Sequence, residues 1–583
     1  MYLSELKLWN FRKYSNSDGS IELGHPHLTV PFKKGLNVLI GENDSGKTSI
    51  IDAIKLVMKT HAYEWIRVSY DDFAIGTNKL RIELIISDLS VQEASHFIEW
   101  LGWTGEKVHL RLVYGAMIRD GKIIPTDIGA GETEGGNYLS FEAKEYLKTI
   151  YLKPLRDADN ELTAKKNSRL SQILLGHALF RPLNGEKHEF VKIVDKANEM
   201  IEEWFVEDNG DNSHKQQIKG MIDTFLTQFI GKDYQSKFSI ADSQIKSILE
   251  KLSIGIDKQP NLGLGSMNRL YMASELLFLN SNNDGIKLCL IEELEAHLHP
   301  QAQMKVITAL QQQKNTQFIL STHSPNLASK IRLSDANTSI ILCKGCDVYP
   351  MDKGLTRLGD SDYIFLEHFL DVTKSNLFFA KGIILVEGWA EEILIPIIAQ
   401  KIGLDLTEHE ISIINVGSTA YLHYAKIFMR NDGKILDYPV AVITDKDVPV
   451  KEDGTFDNEV ESMKEKAITN EFSGSTNVSV FIATHWTLEW CLYKSKAFSE
   501  IFKSCCSNVH SNTKEFQKKE NGEWNMIMFQ QKLSFMLKNR SLQKVKIATQ
   551  MAHRISELET INIENDDEIL YLKEAIKFAC HEN

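Results

Sequence analysis

Residues 41–48 have the types and the spacing of a loop that binds phosphate. They read Gly-Glu-Asn-Asp-Ser-Gly-Lys-Thr, which fits the pattern G-x4-G-K-S/T. An apolar run, Leu36 to Ile40, comes before the loop, and apolar residues at helical spacing follow it. A loop in this context joins a strand to a helix whose free N–H groups point at an anion. The sequence therefore predicts a nucleotide site, with a Gly-rich turn that binds nothing as the alternative.

The side chains of this loop have separate predicted roles. Lys47 would reach the outer phosphates of ATP, and the Thr48 hydroxyl would join the coordination shell of Mg²⁺. The predicted nucleotide-binding residues of the loop are Gly41, Asn43, Gly46, Lys47, Thr48 and Ser49.

A second apolar strand, Ile286 to Ile291, ends in two carboxylates. Glu292 and Glu293 have the form of a Walker B motif, in which the first carboxylate holds the Mg²⁺ shell and the second orients the attacking water. A later strand, Phe318 to Thr322, ends at His323. A histidine buried in the core is one interpretation of His323. Its place after the Walker B strand favours a switch histidine at the nucleotide site.

Further carboxylates stand in another α/β pattern, nearer the end of the chain. Glu387 follows the apolar strand Ile383 to Val386, and Glu391 lies about one turn into the next helix, 390–402. This spacing places the two carboxylates close enough to share a cation.

Two more strands of this pattern end in polar or acidic residues. Strand Ile411 to Asn415 leads to residues 416–418, and strand Val440 to Thr444 leads to Asp445 and Asp447. Clustered like charges are unfavourable unless protons or cations neutralise them. The acidic edge therefore predicts a hard divalent metal bound by oxygen, Mg²⁺ or Mn²⁺.

The composition is that of a globular chain without a global basic field. Charged residues are 25% and hydrophobic residues 43% of the 583 positions, and the net charge is -13. Any contact with DNA must therefore use a local patch or metal-bridged phosphates. The sequence shows no secretory leader and no apolar run near the ~18 residues of a membrane span, so we expect a cytoplasmic protein without membrane contact. The 7 scattered Cys predict structural thiols rather than a zinc site.

The N-terminal part resembles the RecF and SMC branch of the ABC ATPases. Its first strand ends in Asn10-Phe11-Arg12 before the phosphate loop, and Gly263-Leu264-Gly265-Ser266 stands where the ABC signature loop is expected. In those proteins the signature loop acts on nucleotide bound by the opposite subunit. The resemblance therefore implies a homodimer or a higher homo-oligomer.

Three stretches, 151–157, 292–300 and 321–325, resemble the OLD (overcoming lysogenization defect) nuclease family. The V-E-G-x-x-E of 386–391, followed by the D-x-D of 445–447, resembles Toprim. The OLD family joins an ABC ATPase to a C-terminal Toprim domain and includes the nuclease subunits of Gabija and of some retron defence systems. The resemblance implies an α/β chain in which an ABC-type ATPase with a helical dimerisation insertion precedes a Toprim domain.

The resemblance also implies roles for particular side chains. Glu489, in Thr-Leu-Glu, is similar to a later acidic motif and would complete a second metal site, with a surface glutamate as the alternative. Lys544 is similar to a lysine that supports phosphate charge, although Val545 replaces a glycine there and Lys546 is an alternative. The implied metal ligands of the nuclease are Glu387, Glu391, Asp445, Asp447 and Glu489.

Two features depart from the family's pattern. Leu294 replaces the proline usual after the two glutamates, and residues 263–266 are a poor signature loop. The sequence therefore predicts ATP binding and leaves ATP hydrolysis open.

These patterns divide the chain into consecutive segments. Residues 156–240 read as polar and helical, with apolar residues at helical intervals from Ile218 to Phe229, and this arm is expected to serve dimerisation. The predicted segments are the ATPase N-terminal part (1–155), the helical insertion (156–240), the ATPase C-terminal part (241–345), a linker (346–376) and the Toprim nuclease domain (377–583).

The predicted function is an ATP-binding, metal-dependent DNA endonuclease or nickase in anti-phage defence, with nucleotide or a partner controlling cleavage. We expect the chain from His323 through the linker to carry that control to the metal ligands. Topoisomerases and primases also have Toprim domains, but no separate nucleophile module or zinc module is evident in the sequence. A non-nucleolytic DNA clamp of the SMC or RecF type is the alternative. A retron reverse transcriptase with its ncRNA and msDNA, a helicase-like protein, or no partner all remain open.

Overall fold

The computed structural model describes residues 1–61, 66–105, 107–154, 161–180, 187–206, 214–230, 235–240, 242–259, 262–281, 285–417, 419–451, 455–561, 563 and 565–582. Residues 155–157 of the first OLD-like stretch and Ser418 lie outside these ranges.

The N-terminal part contains fourteen described strands, which form two sheets. They are β1 (Tyr2–Trp9), β2 (Leu28–Pro31), β3 (Leu36–Ile40), β4 (Lys79–Ser87), β5 (Leu101–Thr104), β6 (Lys107–Arg119), β7 (Lys122–Pro125), β8 (Gly129–Ala130), β9 (Asn137–Tyr138), β10 (Ile150–Leu152), β11 (Leu288–Ile291), β12 (Gln317–Ser321), β13 (Ser339–Lys344) and β14 (Asp347–Pro350).

Helices cover these sheets and form the insertion. They are α1 (Lys47–Met58), α2 (Val91–Ser95), α3 (Phe141–Glu145), α4 (Arg169–Gly176), α5 (Glu189–Val206), α6 (His214–Ile230), α7 (Ile245–Leu249), α8 (Leu264–Ser281), α9 (Pro300–Gln311) and α10 (Pro325–Ala328).

The two sheets differ in strand order and in strand direction. The first is eight-stranded, with β2-β1-β4-β6-β8-β9 in order and β5 and β7 paired to β6. The second has the order β10-β11-β12-β3-β13-β14, and all its pairs are parallel except β13 with β14. β3 and β11 are buried along their whole length, as apolar parallel strands covered on both faces should be. The loops that follow β3, β11 and β12 therefore meet at one edge of this sheet.

The insertion presents apolar residues to solvent. The predicted helical spacing is observed in α6, yet the apolar side chains of that helix are exposed: Ile218, Met221, Ile222, Phe225 and Phe229. On α5, Ile193, Met200 and Trp204 are exposed as well. We call these eight side chains the arm patch.

The C-terminal part is a parallel α/β domain. Its strands are β15 (Gly382–Val386), β16 (Ile411–Asn415), β17 (Val440–Thr444) and β18 (Val478–Ile482), in the order β16-β15-β17-β18, and every pair is parallel. Its helices are α12 (Trp389–Lys401), α13 (Tyr421–Ala425), α14 (Asn458–Glu471), α15 (Leu488–Lys494), α16 (Ser499–Val509), α17 (Met526–Lys538), α18 (Lys544–Ser556) and α19 (Leu570–Ala579); the preceding helix, α11, spans Asp360–Phe369. The strands predicted here from apolar runs are confirmed.

Residues 346–376, predicted as a linker, are folded and packed. They contribute β14 to the N-terminal sheet and form α11. The Tyr349 hydroxyl donates to the Ile435 carbonyl at 2.8 Å, and Lys434 pairs with Asp347 at 2.6 Å. These contacts fix the C-terminal domain to the β13–β14 hairpin.

In the part of the chain that the structure describes, no helix is both long and apolar enough to cross a membrane.

Candidate functional site

The phosphate loop requires glycine at its two ends for steric reasons. Gly46 has a φ of 96°, and a Cβ at this position would lie 2.0 Å from the Tyr14 hydroxyl. Gly41 has a φ of 141°, and its Cβ would lie 2.4 Å from the Cys343 carbonyl oxygen. No side chain fits at either position without moving a neighbour, so the two glycines of the motif fix the path of the loop.

Lys47 lies folded over its own loop. Its ammonium donates to the carbonyl oxygens of Gly41 at 3.0 Å and Glu42 at 2.6 Å, and to the Ser45 hydroxyl at 3.1 Å. Burial lowers the pKa of Lys47. A bound nucleotide would replace these acceptors with phosphate oxygens, which carry full charge and bind an ammonium more strongly. Of the other predicted loop residues, Ser49 is buried while Asn43 and Thr48 are exposed.

Glu292 follows β11 and faces the start of α1. The Tyr151 hydroxyl donates to Glu292 Oε1 at 3.2 Å. Burial, with added repulsion from Asp52, raises the pKa of Glu292 to about 7. A nearby cation stabilises the ionised form of a carboxylate whose pKa is raised in this way, which fits the predicted Mg²⁺ role. Arg12 of the Asn-Phe-Arg motif holds Asp52 in place through a 2.8 Å ion pair.

Glu293 and His323 come together at the same edge. Glu293 is exposed, with a φ of 45°, and its N–H lies 3.4 Å from the Ser321 hydroxyl. Burial lowers the pKa of His323, Lys47 lowers it further, and Glu293 opposes the shift. The imidazole is therefore within electrostatic reach of both the loop lysine and the Walker B glutamate.

Glu295 is a functional position that the sequence reasoning missed. Its carboxylate accepts from the His323 backbone N–H at 2.6 Å and from the Thr322 hydroxyl at 2.8 Å. It thereby ties the loop after β11 to the loop after β12. The signal was present in the Glu-Glu-Leu-Glu run. Leu294, which departs from the family's proline, is fully buried and fills the core.

The predicted signature stretch straddles the start of α8. Leu264 begins the helix and is exposed, while a Cβ on Gly265 would lie 2.8 Å from the His297 carbonyl oxygen. Gly265 therefore lets α8 approach the segment that follows the Walker B carboxylates.

The C-terminal carboxylates lie where parallel strands end. Glu387 follows β15, and its Oε1 accepts a hydrogen bond from the Thr444 hydroxyl at the end of β17. Asp445 follows Thr444 directly, and its Oδ1 accepts from the Leu488 N–H at 2.9 Å. The first N–H of α15 thus orients Asp445, since the free N–H groups of a helix N-terminus favour a carboxylate.

The pKa directions show that the predicted metal ligands form one cluster. Burial raises the pKa of Asp445 well above its usual range, and Glu391 and Glu489 raise it further. Burial and then Glu489 raise the pKa of Glu391 to about 7. Burial and the exposed Asp447 raise that of Glu387, in spite of the Thr444 hydrogen bond. Glu387, Glu391, Asp445 and Glu489 therefore lie within electrostatic reach of one another, and Asp447 lies within reach of Glu387.

Lys544 supplies positive charge to this cluster. Its Nζ lies 2.8 Å from Glu489 Oε2. Burial alone would lower the pKa of Lys544, but Glu489 and Asp445 raise it. Lys546, the alternative in the sequence, is exposed. The glutamate at 489 is itself 3% exposed, which excludes the surface-glutamate interpretation.

Tyr571 of α19 is a second residue that the sequence did not reveal. Its buried hydroxyl has no hydrogen-bond partner among the described residues. Burial and Cys491, followed by the carboxylates of Asp445 and Glu391, raise its pKa. No local pattern marks this tyrosine, because only the tertiary fold brings α19 to the carboxylates.

The donor set fits a hard divalent cation. In the described ranges no three His, Cys, Asp or Glu side chains already stand as a formed metal site. Burial first, and then repulsion from neighbouring carboxylates, raises the pKa values of Asp445 and Glu391, although Lys544 lowers both. Carboxylate oxygens in this state are ligands that Mg²⁺ and Mn²⁺ prefer.

Comparison with known proteins agrees with this architecture. Residues 378–447 match the family described as "Overcoming lysogenization defect protein-like, TOPRIM domain". Residues 1–259 and 153–328 match the AAA ATPase domain family, and together they cover more than half of the chain.

Individual relatives align over most of this chain. Endonuclease GajA of Bacillus cereus (strain HuB5-5) is 22% identical over 546 residues, with 78% of each chain covered. The OLD nuclease of Thermus scotoductus is 23% identical over 454 residues, with 72% of this chain and 79% of the relative covered. A solved structure of an Smc head bound to a ScpA domain aligns with 60% of this chain at 13% identity and a TM-score of 0.34.

The match of residues 1–328 to the AAA ATPase family confirms the ATPase fold, and the match of residues 378–447 confirms the Toprim domain. Relatives that align over most of the chain are named as nucleases. The chain belongs to the OLD family of nucleases, in which an AAA ATPase domain precedes an OLD-like Toprim domain.

Proposed function

We propose that this chain is a divalent-metal-dependent DNA endonuclease or nickase whose cutting is controlled by nucleotide and that acts against phage DNA. The observation that carries the proposal is the carboxylate cluster at the ends of β15 and β17, where Thr444 and the Leu488 N–H orient two carboxylates and Lys544 pairs with Glu489. Glu391 and Glu489 raise the pKa of Asp445 there. The relatives named endonuclease and OLD nuclease support DNA as the substrate.

Each residue of the cluster has a distinct part in this proposal. Glu387, Glu391, Asp445, Asp447 and Glu489 would hold Mg²⁺ or Mn²⁺. When bound, such metals activate water and stabilise the leaving oxygen of a phosphodiester. The Thr444 hydroxyl and the Leu488 N–H orient Glu387 and Asp445 before any substrate arrives. Lys544 would turn from Glu489 toward a DNA phosphate, where its ammonium offsets the charge of the oxygens.

The different-class alternative is a DNA clamp with a structural Toprim domain. A structural domain would gain stability if its buried carboxylates were replaced by apolar residues, since like charges at one edge repel. The clustering of five carboxylates therefore favours a working site. A retron reverse transcriptase with its ncRNA and msDNA, or a helicase-like protein, would be the source of partner control.

The first prediction concerns the nuclease centre. Asp445→Asn keeps the shape of the side chain but removes a charged metal ligand, so cleavage of supercoiled plasmid with Mg²⁺ or Mn²⁺ should fall by at least about a hundred-fold. ATP binding should be unchanged, because the phosphate loop is untouched. Asn415→Asp, at the end of β16, gives a control that adds a carboxylate instead of removing one. Full cleavage by a folded Asp445→Asn protein would exclude Asp445 from the reaction.

The second prediction separates nucleotide binding from hydrolysis. Lys47→Ala should weaken ATP binding, because the charge that meets the outer phosphates is lost. Glu293→Gln should bind ATP normally and turn it over slowly, because an amide cannot act as a base. Equilibrium binding of a labelled ATP analogue and phosphate release measure the two steps. Equal hydrolysis by wild type and Glu293→Gln would show that Glu293 does not orient the attacking water.

The third prediction concerns assembly through the arm patch. We propose that a second copy covers this patch, since Phe225 and Phe229 are 54% and 81% exposed on one face of α6. Adding charge with Met221→Asp and Phe225→Asp should give monomers in light scattering. Gln312→Asp and Asn315→Asp add the same charges to exposed polar positions just beyond α9, away from the arm patch in the sequence, and should leave the oligomer intact. A wild-type monomer, or an oligomer that tolerates both pairs, would contradict this assignment.

Nucleotide control would follow a short route through the fold. Lys344 at the end of β13 pairs with the Glu42 carboxylate of the phosphate loop, and its ammonium lies 5.2 Å from the centre of the Tyr438 ring. Tyr438 comes just before β17, which ends at Thr444, next to Asp445. Lys47 binds the Glu42 carbonyl and must release it to meet phosphate. We propose that this release shifts Glu42, Lys344 and the start of β17 together.

The fourth prediction tests this route. In wild type, a titration of ATP or a non-hydrolysable analogue should change the rate of DNA cutting, with repression as the expected sign. Lys47→Ala should also change the rate, and Lys344→Met should flatten the nucleotide response while ATP still binds. Lys434→Ala removes an ion pair of the same hairpin without touching the phosphate loop, so it should keep the response. A wild-type rate that is indifferent to nucleotide, with any partner present, would refute the coupling.

A further inference from the structure

A groove of about 680 Å³ lies beside the carboxylate cluster, and the proposed reaction does not use it. Three segments form it: the loop after β17 with Val450 and Lys451, helix α15 with Trp490 and Lys494, and the outer face of α17. The loop after β17 contains Asp447, and helix α15 contains Glu489 next to Trp490. The groove is therefore continuous with the two elements that present metal ligands.

The described lining of this groove is basic. Lys451, Lys494 and Lys538 contribute ammonium groups, and none of the lining residues that the structure describes is acidic. Neither Lys494 nor Lys538 forms an ion pair within the described ranges, and Lys494 instead donates to the Gln530 amide oxygen at 3.2 Å. On a chain with a net charge of -13, such a local surplus of positive charge marks a surface for a polyanion.

The wall of the groove also carries exposed apolar and aromatic surface, and the Lys532 ammonium lies 5.6 Å from the centre of the Phe535 ring. Phe535 is 59% exposed and Ile527 is 72% exposed, both on α17. Trp490 and Tyr493 form a buried floor, and the Trp490 indole N–H has no hydrogen-bond partner in the described part of the chain. Lysines around an exposed aromatic ring are how proteins bind single-stranded nucleic acid, because a base stacks on the ring while the charges follow the phosphates.

We propose that this groove binds a single-stranded stretch of the DNA substrate next to the scissile phosphate. A base would lie on the Phe535 ring, and the flanking phosphates would contact Lys494 and Lys538. The inference rests on the proposed nuclease function. It adds that the protein holds one DNA strand unpaired next to the cutting site while Asp445 and its neighbours act. The charge of the lining favours DNA over an apolar peptide, which would leave Lys494 and Lys538 without an anionic partner; Lys451 already pairs with Asp457 at 3.2 Å.

The experiment measures binding of a fluorescent oligo-dT by anisotropy, in EDTA so that nothing is cut. Lys494→Ala with Lys538→Ala removes two phosphate contacts, so affinity should fall about ten-fold or more. The slope of log Kd against log salt should fall by about 1.4, since each contact to single strands contributes about 0.7. Lys305→Ala with Lys314→Ala, at two exposed lysines in or just beyond α9, is the matched control and should keep the wild-type slope. An unchanged slope in the groove variant, or no oligonucleotide binding by wild type, would overturn the proposal.

Variants of Phe535 test stacking separately from charge. Phe535→Ala should weaken oligonucleotide binding at least about five-fold. Phe535→Tyr keeps the aromatic ring and should bind as tightly as the wild type. Phe535→Leu keeps apolar surface without a ring and should bind as poorly as the alanine variant. If Phe535→Leu binds like wild type, the ring does not stack on a base and the proposal is wrong. Plasmid cleavage by the wild-type protein is measured in parallel. If the wild type cleaves plasmid while all groove variants bind the oligonucleotide normally, the groove is not the binding site and the nuclease function still holds.

Discussion

The mutual repulsion of carboxylates at one sheet edge is the constraint on which the C-terminal domain depends. Two unit charges about 6 Å apart repel by about 3 kcal/mol at an effective dielectric constant of about 20. The sheet brings several such groups together, and Lys544 is the described cation in direct contact with them. The fully buried strands β15 and β17 hold the carboxylates in spite of this repulsion. The domain therefore keeps a charge imbalance that a divalent cation would relieve.

The ATPase site shows the opposite imbalance at the edge of another parallel sheet. Among the residues that the structure describes, Lys47 has only neutral loop oxygens as hydrogen-bond acceptors, and burial lowers its pKa. A bound phosphate would offset the positive charge of Lys47, as a bound cation would offset the negative charge of the carboxylates. Both sites exploit the same geometry, in which parallel strands deliver the residues that follow them to a common edge. The strands supply position, and the polar residues after them supply the charge.

The sequence predicted those features that depend on neighbours along the chain. The bounds of β16, β17 and β18, and the proximity of Asp445 and Glu391, follow from apolar runs and local motifs. The place of Glu489 beside them was implied by the resemblance to the OLD family. Tyr571 and the Lys344 contact to Glu42 could not be predicted, because each joins segments that only the tertiary fold brings together. The arm patch shows a different limit. The helical spacing of apolar residues predicts helix α6. It does not distinguish a helix face that packs within the same chain from one that packs against another chain.

The packing between the two domains constrains how one site can influence the other. A single continuous hydrophobic core includes Val38 of β3, Leu366 of α11 and Val442 of β17. Residues 346–376 lie within this packed region and cannot act as a loose tether. Separating the domains as rigid bodies would expose this shared apolar surface, at about 25 cal/mol for each Å². Shifts of a few side chains along Glu42, Lys344 and Tyr438 avoid that loss, so a local rearrangement is the more economical way for nucleotide to reach Asp445.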